Sequence, residues 1–310
     1  MKPRVLQYGR LMPSLEKQLA DAFDHVRLVD QGDAKAFLAA QGAGFAGIAT
    51  AGFADDALMA ACPNVKVISS FGVGVDRIDL QSAARRGIQV GNTPDVLNDC
   101  VADLTMGLVI DIARGIGASE RYLRRGEWLK GPYPLQRRVS GKRLGILGLG
   151  RIGKAIARRA RAFDMELRYH NRREVPDAGM TYEPTLVALA RWADFLVIIV
   201  PGGGATHHLV DAAVLDALGP EGYVVNVARG SVIGEPALVR ALVERRIAGA
   251  ALDVFEHEPQ VPAELMGLDN VVMVPHIGSA TLETRAAMAQ RVFDNLQAFF
   301  GTGHVISRAL

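Results

Sequence analysis

Only two cysteines, Cys62 and Cys100, occur in 310 residues, and their separation matches no metal-ligand spacing. A chain of this length buries enough surface to fold without disulfides, so both read as reduced thiols in or near a core of a cytosolic protein. Long apolar runs are missing too. The longest, FLVIIV at Phe195 to Val200, is far too short to cross a bilayer, and the opening MKPRVLQYGRLMPSLEKQ has no continuous apolar segment of a signal-peptide kind. The expectation is a cytoplasmic protein with no membrane partner. Blocks of like charge are also absent: 35 Lys and Arg are scattered among 33 Asp and Glu, for a net charge of +2. No nucleic-acid partner is implied.

What is present is α/β patterning. Hydrophobic residues make up 49% of the chain, and the length suits one or two domains. Short β-branched runs alternate with helical segments throughout, the pattern of parallel sheets covered by helices. RVLQYG, HVRLV, GIAT, VKVISS and IQVGN read as strands of a small first unit, with PSLEKQLADAF and DDALMAAC as helices between them. From Leu144 a second series begins with LGILGLG, ELRYH, DFLVIIV, YVVNVA, AGAALDV and NVVMVPHI, six strands in all. Between the series, Asn98 to Ile116 reads as one long apolar helix capped by Asn98 or Asp99. Thr281 to Phe300 reads as an amphipathic helix that returns the chain to the first unit.

The segment GLGRIG, Gly148 to Gly153, follows a strand and opens a helix, the context that separates a dinucleotide-binding loop from a chance glycine turn. Gly148 permits a tight turn, Gly150 lets the backbone approach a pyrophosphate, and Gly153 allows close helix-on-strand packing. The helix N-terminus then faces the phosphates. Counting 22 residues from Gly148 reaches His170, where an NAD-binding chain would present an acid to the ribose. Here the stretch is RYHNRR. With no carboxylate to repel a 2′-phosphate, Arg172, together with Arg173 or Arg168, offers that anion a site, and Asn171 a hydrogen bond. NADP(H) is therefore expected over NAD(H); the bland alternative is a solvated basic edge.

Ligands of such sheets bind outside the carboxyl ends of the strands. Arg229 follows YVVNVA; Asp253, Glu256 and Glu258 end or follow AGAALDV; His276 follows VVMVP. Reduction of a carbonyl by hydride needs a proton donor, which a histidine supplies at neutral pH, and an ionised carboxylate beside it favours imidazolium. A guanidinium binds a substrate carboxylate and polarises the adjacent carbonyl. The logical substrate is a 2-oxo acid. Each residue alone has a structural reading, Arg229 as a helix cap for instance; their arrival at successive strand ends favours chemistry. Gly72 and Gly74 in SSFGVGVDRID follow a strand, where free N–H groups would form an anion nest or simply a turn. The remaining histidines, His25, His207, His208, His257 and His304, suggest no metal site, and His207 and His208 read as a solvated turn.

FGVGVDRIDL, NTPDVLNDCVADL, GLGRIG, NVARGSVI, ALDVFEHEP and VPHIGSAT occur in this order along nearly the whole chain. In these motifs the chain resembles the D-isomer-specific 2-hydroxyacid dehydrogenases, most of all their glyoxylate/hydroxypyruvate reductase branch with the plant hydroxyphenylpyruvate reductases. The resemblance implies an α/β fold of two domains. A Rossmann doubly wound parallel sheet, residues 99–283, would be inserted into a smaller flavodoxin-like substrate domain, residues 1–98 and 284–310. It implies Arg229 as the substrate-binding residue, His276 as acid/base and Glu258 as its partner, with Val73 and Gly74 meeting the substrate carboxylate. Cofactor contacts would come from Thr105, from Gly148, Leu149, Gly150, Arg151 and Ile152, and from Asn171, Arg172 and Arg173. Further along they would come from Val200, Pro201, Thr206, Val227, Ala228, Asp253 at the nicotinamide amide, His276 and Gly278. A homodimer is implied, with Trp128 and the GPYPL segment as candidates to reach the partner's site. Pro201 to Thr206 reads PGGGAT where many relatives are threonine-rich, which weakens the carry-over of Thr206.

The expected activity is NADPH-dependent reduction of glyoxylate, hydroxypyruvate and phenylpyruvate-type acids to D-2-hydroxy acids. One competitor is a dehydrogenase working in the oxidising direction on a substrate such as phosphoglycerate, against which stands the lack of an appended regulatory domain. The other is a corepressor-like binding protein that senses the dinucleotide, against which stands the lack of long disordered extensions.

Overall fold

The computed structural model describes residues 2–309 and divides into two compact units, Met1–Leu97 with Thr281–Leu310, and Asn98–Ala280. In the first unit, β1 (Arg4–Tyr8), β2 (Asp24–Arg27), β3 (Gly47–Thr50), β4 (Val67–Ser70) and β5 (Gln89–Gly91) form an all-parallel sheet in the order β2-β1-β3-β4-β5. That is the flavodoxin-like order. The central strands β3 and β4 are buried along their whole length, as expected where helices cover both faces. One of those helices is Leu282–Thr302, capped by the Thr281 hydroxyl, and its Ala289, Val292 and Leu296 pack with Val5, Leu15, Leu19 and Val67.

The second unit holds β6 (Arg143–Leu147), β7 (Glu166–His170), β8 (Thr181–Tyr182), β9 (Phe195–Ile198), β10 (Tyr223–Asn226), β11 (Gly249–Leu252) and β12 (Val271–Met273). They lie in the order β12-β11-β10-β9-β6-β7-β8, all parallel. This is the Rossmann order with β12 added at one edge, so the strand order reverses between β6 and β9. Six strands were expected and seven are present. The extra strand β8 is only two residues long, too short for a period-two signal.

The helix expected from Asn98 to Ile116 ends at Arg114. Gly115 takes a left-handed conformation, φ 60°, and a separate helix runs over Ile116–Arg124. Before the break, Val101, Thr105, Leu108, Val109 and Ile112 make the buried stripe of the first helix. No helix of the described residues is long and apolar enough to cross a membrane.

Candidate active site

The glycine loop joins β6 to the helix Arg151–Arg161, and each glycine is used differently. A side chain on Gly148, φ 109°, would lie 2.4 Å from the Ile199 carbonyl oxygen, and one on Gly153 would lie 2.2 Å from the Gly148 oxygen. Both are packing glycines. A Cβ on Gly150 would meet nothing within 4 Å, which leaves open space at the start of a helix that has no side-chain cap. Uncapped N–H groups beside an open cradle suit a pyrophosphate. Asn171 Oδ1 accepts from the Leu149 N–H at 2.7 Å and so braces the loop from the end of β7.

The basic stretch separates into two roles. Arg168 pairs with Glu183 at 2.6 Å and lies over the Trp192 ring at 4.4 Å, so it is not available to a phosphate. Arg172 and Arg173 are exposed on the bend after β7 and have no ion pair among the described residues. Three other residues make internal bonds that their place in the sequence did not announce. Thr105 is fully buried and its hydroxyl donates to the Val101 carbonyl. The Thr206 hydroxyl donates to the Pro201 carbonyl at 2.6 Å, closing the glycine-rich segment on itself. Asp253 is 1% exposed, and its two oxygens accept the Ile277 and Gly278 N–H groups at 2.6 and 2.9 Å. Its carboxylate shapes the turn that carries His276. Burial raises its pKa despite those bonds.

At the carboxyl edge of the same sheet, His276 Nδ1 lies 2.8 Å from Glu258 Oε2. Glu258 Oε1 accepts the Phe255 N–H at 3.1 Å. Burial pushes the Glu258 carboxyl up, but the His276 hydrogen bond and charge, the Phe255 N–H and the Arg229 charge outweigh it and hold the group below its usual range. His276 itself sits at φ 52°, exposed on its turn. Arg229 donates to the Ala228 carbonyl at 2.7 Å. The bend that carries it is held by Asn226, whose amide donates to the Arg229 carbonyl and whose Oδ1 accepts from Ala228. Asn226 is 1% exposed, and sequence reasoning passed over it; a lone amide ending an apolar strand was the available signal. Val227 and Ala228 are buried, Val200 and Pro201 lie on the surface side of β9's end, and Gly278 is buried against Asp253. A cavity of about 260 Å³ opens beside the pair, lined by Phe255, Pro259, Val261, Met266 and Met273 with Glu258 and His276 at one side.

In the first unit, Gly72, φ 158°, turns the chain after β4, and the N–H groups of Val73 and Gly74 have no acceptor among the described residues. Trp128 is 66% exposed on the short turn Glu127–Leu129, so it is not a core aromatic of its unit. His207 and His208 do not lie on an idle turn, because both rings face Glu256.

Residues 106–278 match the family model described as the D-isomer specific 2-hydroxyacid dehydrogenase, NAD binding domain. The chain is 50% identical to glyoxylate/hydroxypyruvate reductase A of Arabidopsis thaliana over 254 residues, 82% of this chain and 81% of that protein. It is 46% identical to hydroxyphenylpyruvate reductase of Plectranthus scutellarioides over 299 residues, 96% of this chain and 95% of the other. Among solved structures, it superposes with a TM-score of 0.95 on the NADPH-dependent glyoxylate/hydroxypyruvate reductase of Sinorhizobium meliloti in complex with NADP and malonate. That protein is 44% identical, with coverage of 100% of this chain and 97% of that one.

Proposed function

Because the chain belongs to the D-isomer-specific 2-hydroxyacid dehydrogenase family, we propose that it reduces small 2-oxo acids to D-2-hydroxy acids with NADPH. The substrates are glyoxylate and hydroxypyruvate, with phenylpyruvate-type acids included. The observation that carries the reading is the 2.8 Å contact between His276 Nδ1 and a Glu258 carboxylate kept ionised. With Nδ1 engaged by the carboxylate, Nε2 is the atom that gives its proton to the carbonyl oxygen. Arg229 binds the substrate carboxylate and stabilises the growing negative charge. A dinucleotide held at the glycine loop would supply the hydride that the carbonyl carbon needs. His276 then recovers its proton from solvent, with Glu258 holding the neutral ring in its Nδ1–H tautomer until it does.

The cradle at Gly150, braced by Asn171, is assigned to the pyrophosphate, and exposed Arg172 and Arg173 to the 2′-phosphate. NADP in the Sinorhizobium meliloti relative supports that choice of cofactor. The unpartnered N–H groups at Val73 and Gly74 are assigned to a carboxylate anion. The apolar cavity beside His276 supports acceptance of an aromatic substrate side chain. A cytoplasmic homodimer completes the proposal, supported by the exposed apolar side chains of Trp128, Leu129 and Leu135.

Initial rates with glyoxylate, hydroxypyruvate, pyruvate and phenylpyruvate, each with NADPH and with NADH, test this reading. Turnover with NADPH preferred is expected. Replacing Arg172 and Arg173 together by Gln should raise the KM for NADPH at least tenfold and leave that for NADH nearly unchanged, a loss of about 1.4 kcal/mol or more. Equal effects on both cofactors would reduce these arginines to a solvated edge, and no turnover with any pair would remove the reductase assignment.

A further inference from the structure

His207 and His208 follow the glycine-rich segment after β9. In extended chain, two consecutive side chains point to opposite faces. Here His208 is left-handed, φ 50°, and the two rings stack with centroids 3.8 Å apart and planes 28° from parallel. The His208 N–H donates to the Ser231 carbonyl at 2.8 Å, which anchors the segment to the loop beyond β10.

Both Nε2 atoms face the same carboxylate oxygen. Glu256 Oε1 lies 2.7 Å from His208 and 3.7 Å from His207. The Glu256 side chain is only 14% exposed, and its backbone N–H donates to Glu235 at 3.1 Å, so the acceptor is held in place. The three donor atoms lie within 4.8 Å of one another. A tetrahedral zinc ion with bonds of about 2.0–2.1 Å sets its ligands about 3.3 Å apart. The two measured separations straddle that value, and rotation of the two imidazoles out of their stack about the side-chain torsions would bring both Nε2 atoms and Glu256 Oε1 onto one ion.

We propose that His207, His208 and Glu256 bind a divalent transition-metal ion of the zinc class, separate from the His276–Glu258 pair. Two imidazoles and one carboxylate suit zinc, cobalt, nickel or copper better than magnesium or calcium, which prefer all-oxygen sites. Water fills the remaining coordination positions, since both rings are partly exposed. The ion ties the segment 201–206 to the turn that also carries Glu258. A plain structural tie between His208 and Glu256 accounts for one ring only; the second Nε2, that of His207, also turned to Glu256 Oε1 at 3.7 Å, is what a metal site adds to it.

Untagged protein stripped with chelator is titrated with Zn²⁺, alone by calorimetry and in competition with a chromophoric chelator. One equivalent per chain is expected. His207→Ala should weaken binding at least tenfold while leaving turnover without zinc unchanged, and His208→Ala should do the same to binding. His276→Gln should retain the full equivalent. Absence of stoichiometric binding, or wild-type affinity in the His207 variant, overturns the site; loss of the equivalent in the His276 variant overturns it by moving the ion to the other pair. Should His208→Ala fail to fold, the exposed His207 carries the test alone.

Discussion

His276 is positioned almost entirely by other residues. Asp253 clasps the two N–H groups that follow it, and Glu258 takes its Nδ1. Gln at 276 keeps a hydrogen-bonding amide but has no proton to give, so His276→Gln should lower kcat by about 10²–10⁴ while the Kd for NADPH changes little. Arg229→Ala should act differently, raising KM for the 2-oxo acid and lowering kcat together, because the guanidinium serves both ground-state binding and the developing charge. Steady-state kinetics with fluorescence titration of the dinucleotide separate the two; wild-type turnover in the His276 variant would remove it as the acid. Arg229, Glu258 and His276 were legible because each follows an apolar strand, and strand ends are where such sheets place ligands. The roles of Asp253 and Arg168 were not, since spacing gives a residue's place along a strand but not the partner its side chain finds. Arg168 shares the basic run with Arg172, yet it lies within β7 and is drawn to Glu183 and Trp192.

Among the elements, the loop between β6 and the helix Arg151–Arg161 yields the sharpest contrast. Gly150 has φ −88° and ψ −158°, a backbone that an L-residue adopts, and open space at its Cβ. Gly150→Ala should therefore fold normally but fill the cradle, raising the Kd for the dinucleotide about tenfold, ~1.4 kcal/mol. Gly153→Ala drives a methyl to 2.2 Å from the Gly148 oxygen and should cost about 1–3 kcal/mol of stability instead. Thermal unfolding beside cofactor titration reads both effects; a destabilised Gly150→Ala variant with unchanged affinity would deny the cradle. Most strands were legible as β-branched runs between turn residues. The helix break at Gly115 was masked by apolar periodicity that continues across it, and a glycine interrupts a helix only when the chain uses its left-handed freedom. The meeting of His207 with Glu256 depends on β10 lying between β9 and β11, an order that no spacing along the chain contains.

On the scale of the whole molecule, the first unit is built from both ends of the chain, and its sheet is covered by a helix that follows the second unit. Leu282–Thr302 places Ala289, Val292 and Leu296 against Val5, Leu15, Leu19 and Val67. Asn295, fully buried, donates to the Asn92 carbonyl at 3.1 Å and accepts the Ser307 N–H at 2.9 Å, and the Ser69 hydroxyl donates to the Val292 carbonyl at 3.0 Å. Burying one large aliphatic side chain is worth about 1.5–3 kcal/mol, so Val292 and Leu296 alone contribute on the order of 3–6 kcal/mol. A domain has only about 5–15 kcal/mol in total, and removal also leaves the Asn92 carbonyl and Ser69 hydroxyl without partners. Deleting residues 281–310 should therefore unfold the first unit while Asn98–Ala280 keeps its own core. Limited proteolysis of the truncated chain should degrade residues 1–97 rapidly and leave a resistant fragment near 98–280. A truncated chain whose residues 1–97 resist protease as they do in the intact protein would show that the five-stranded sheet needs nothing from the closing helix.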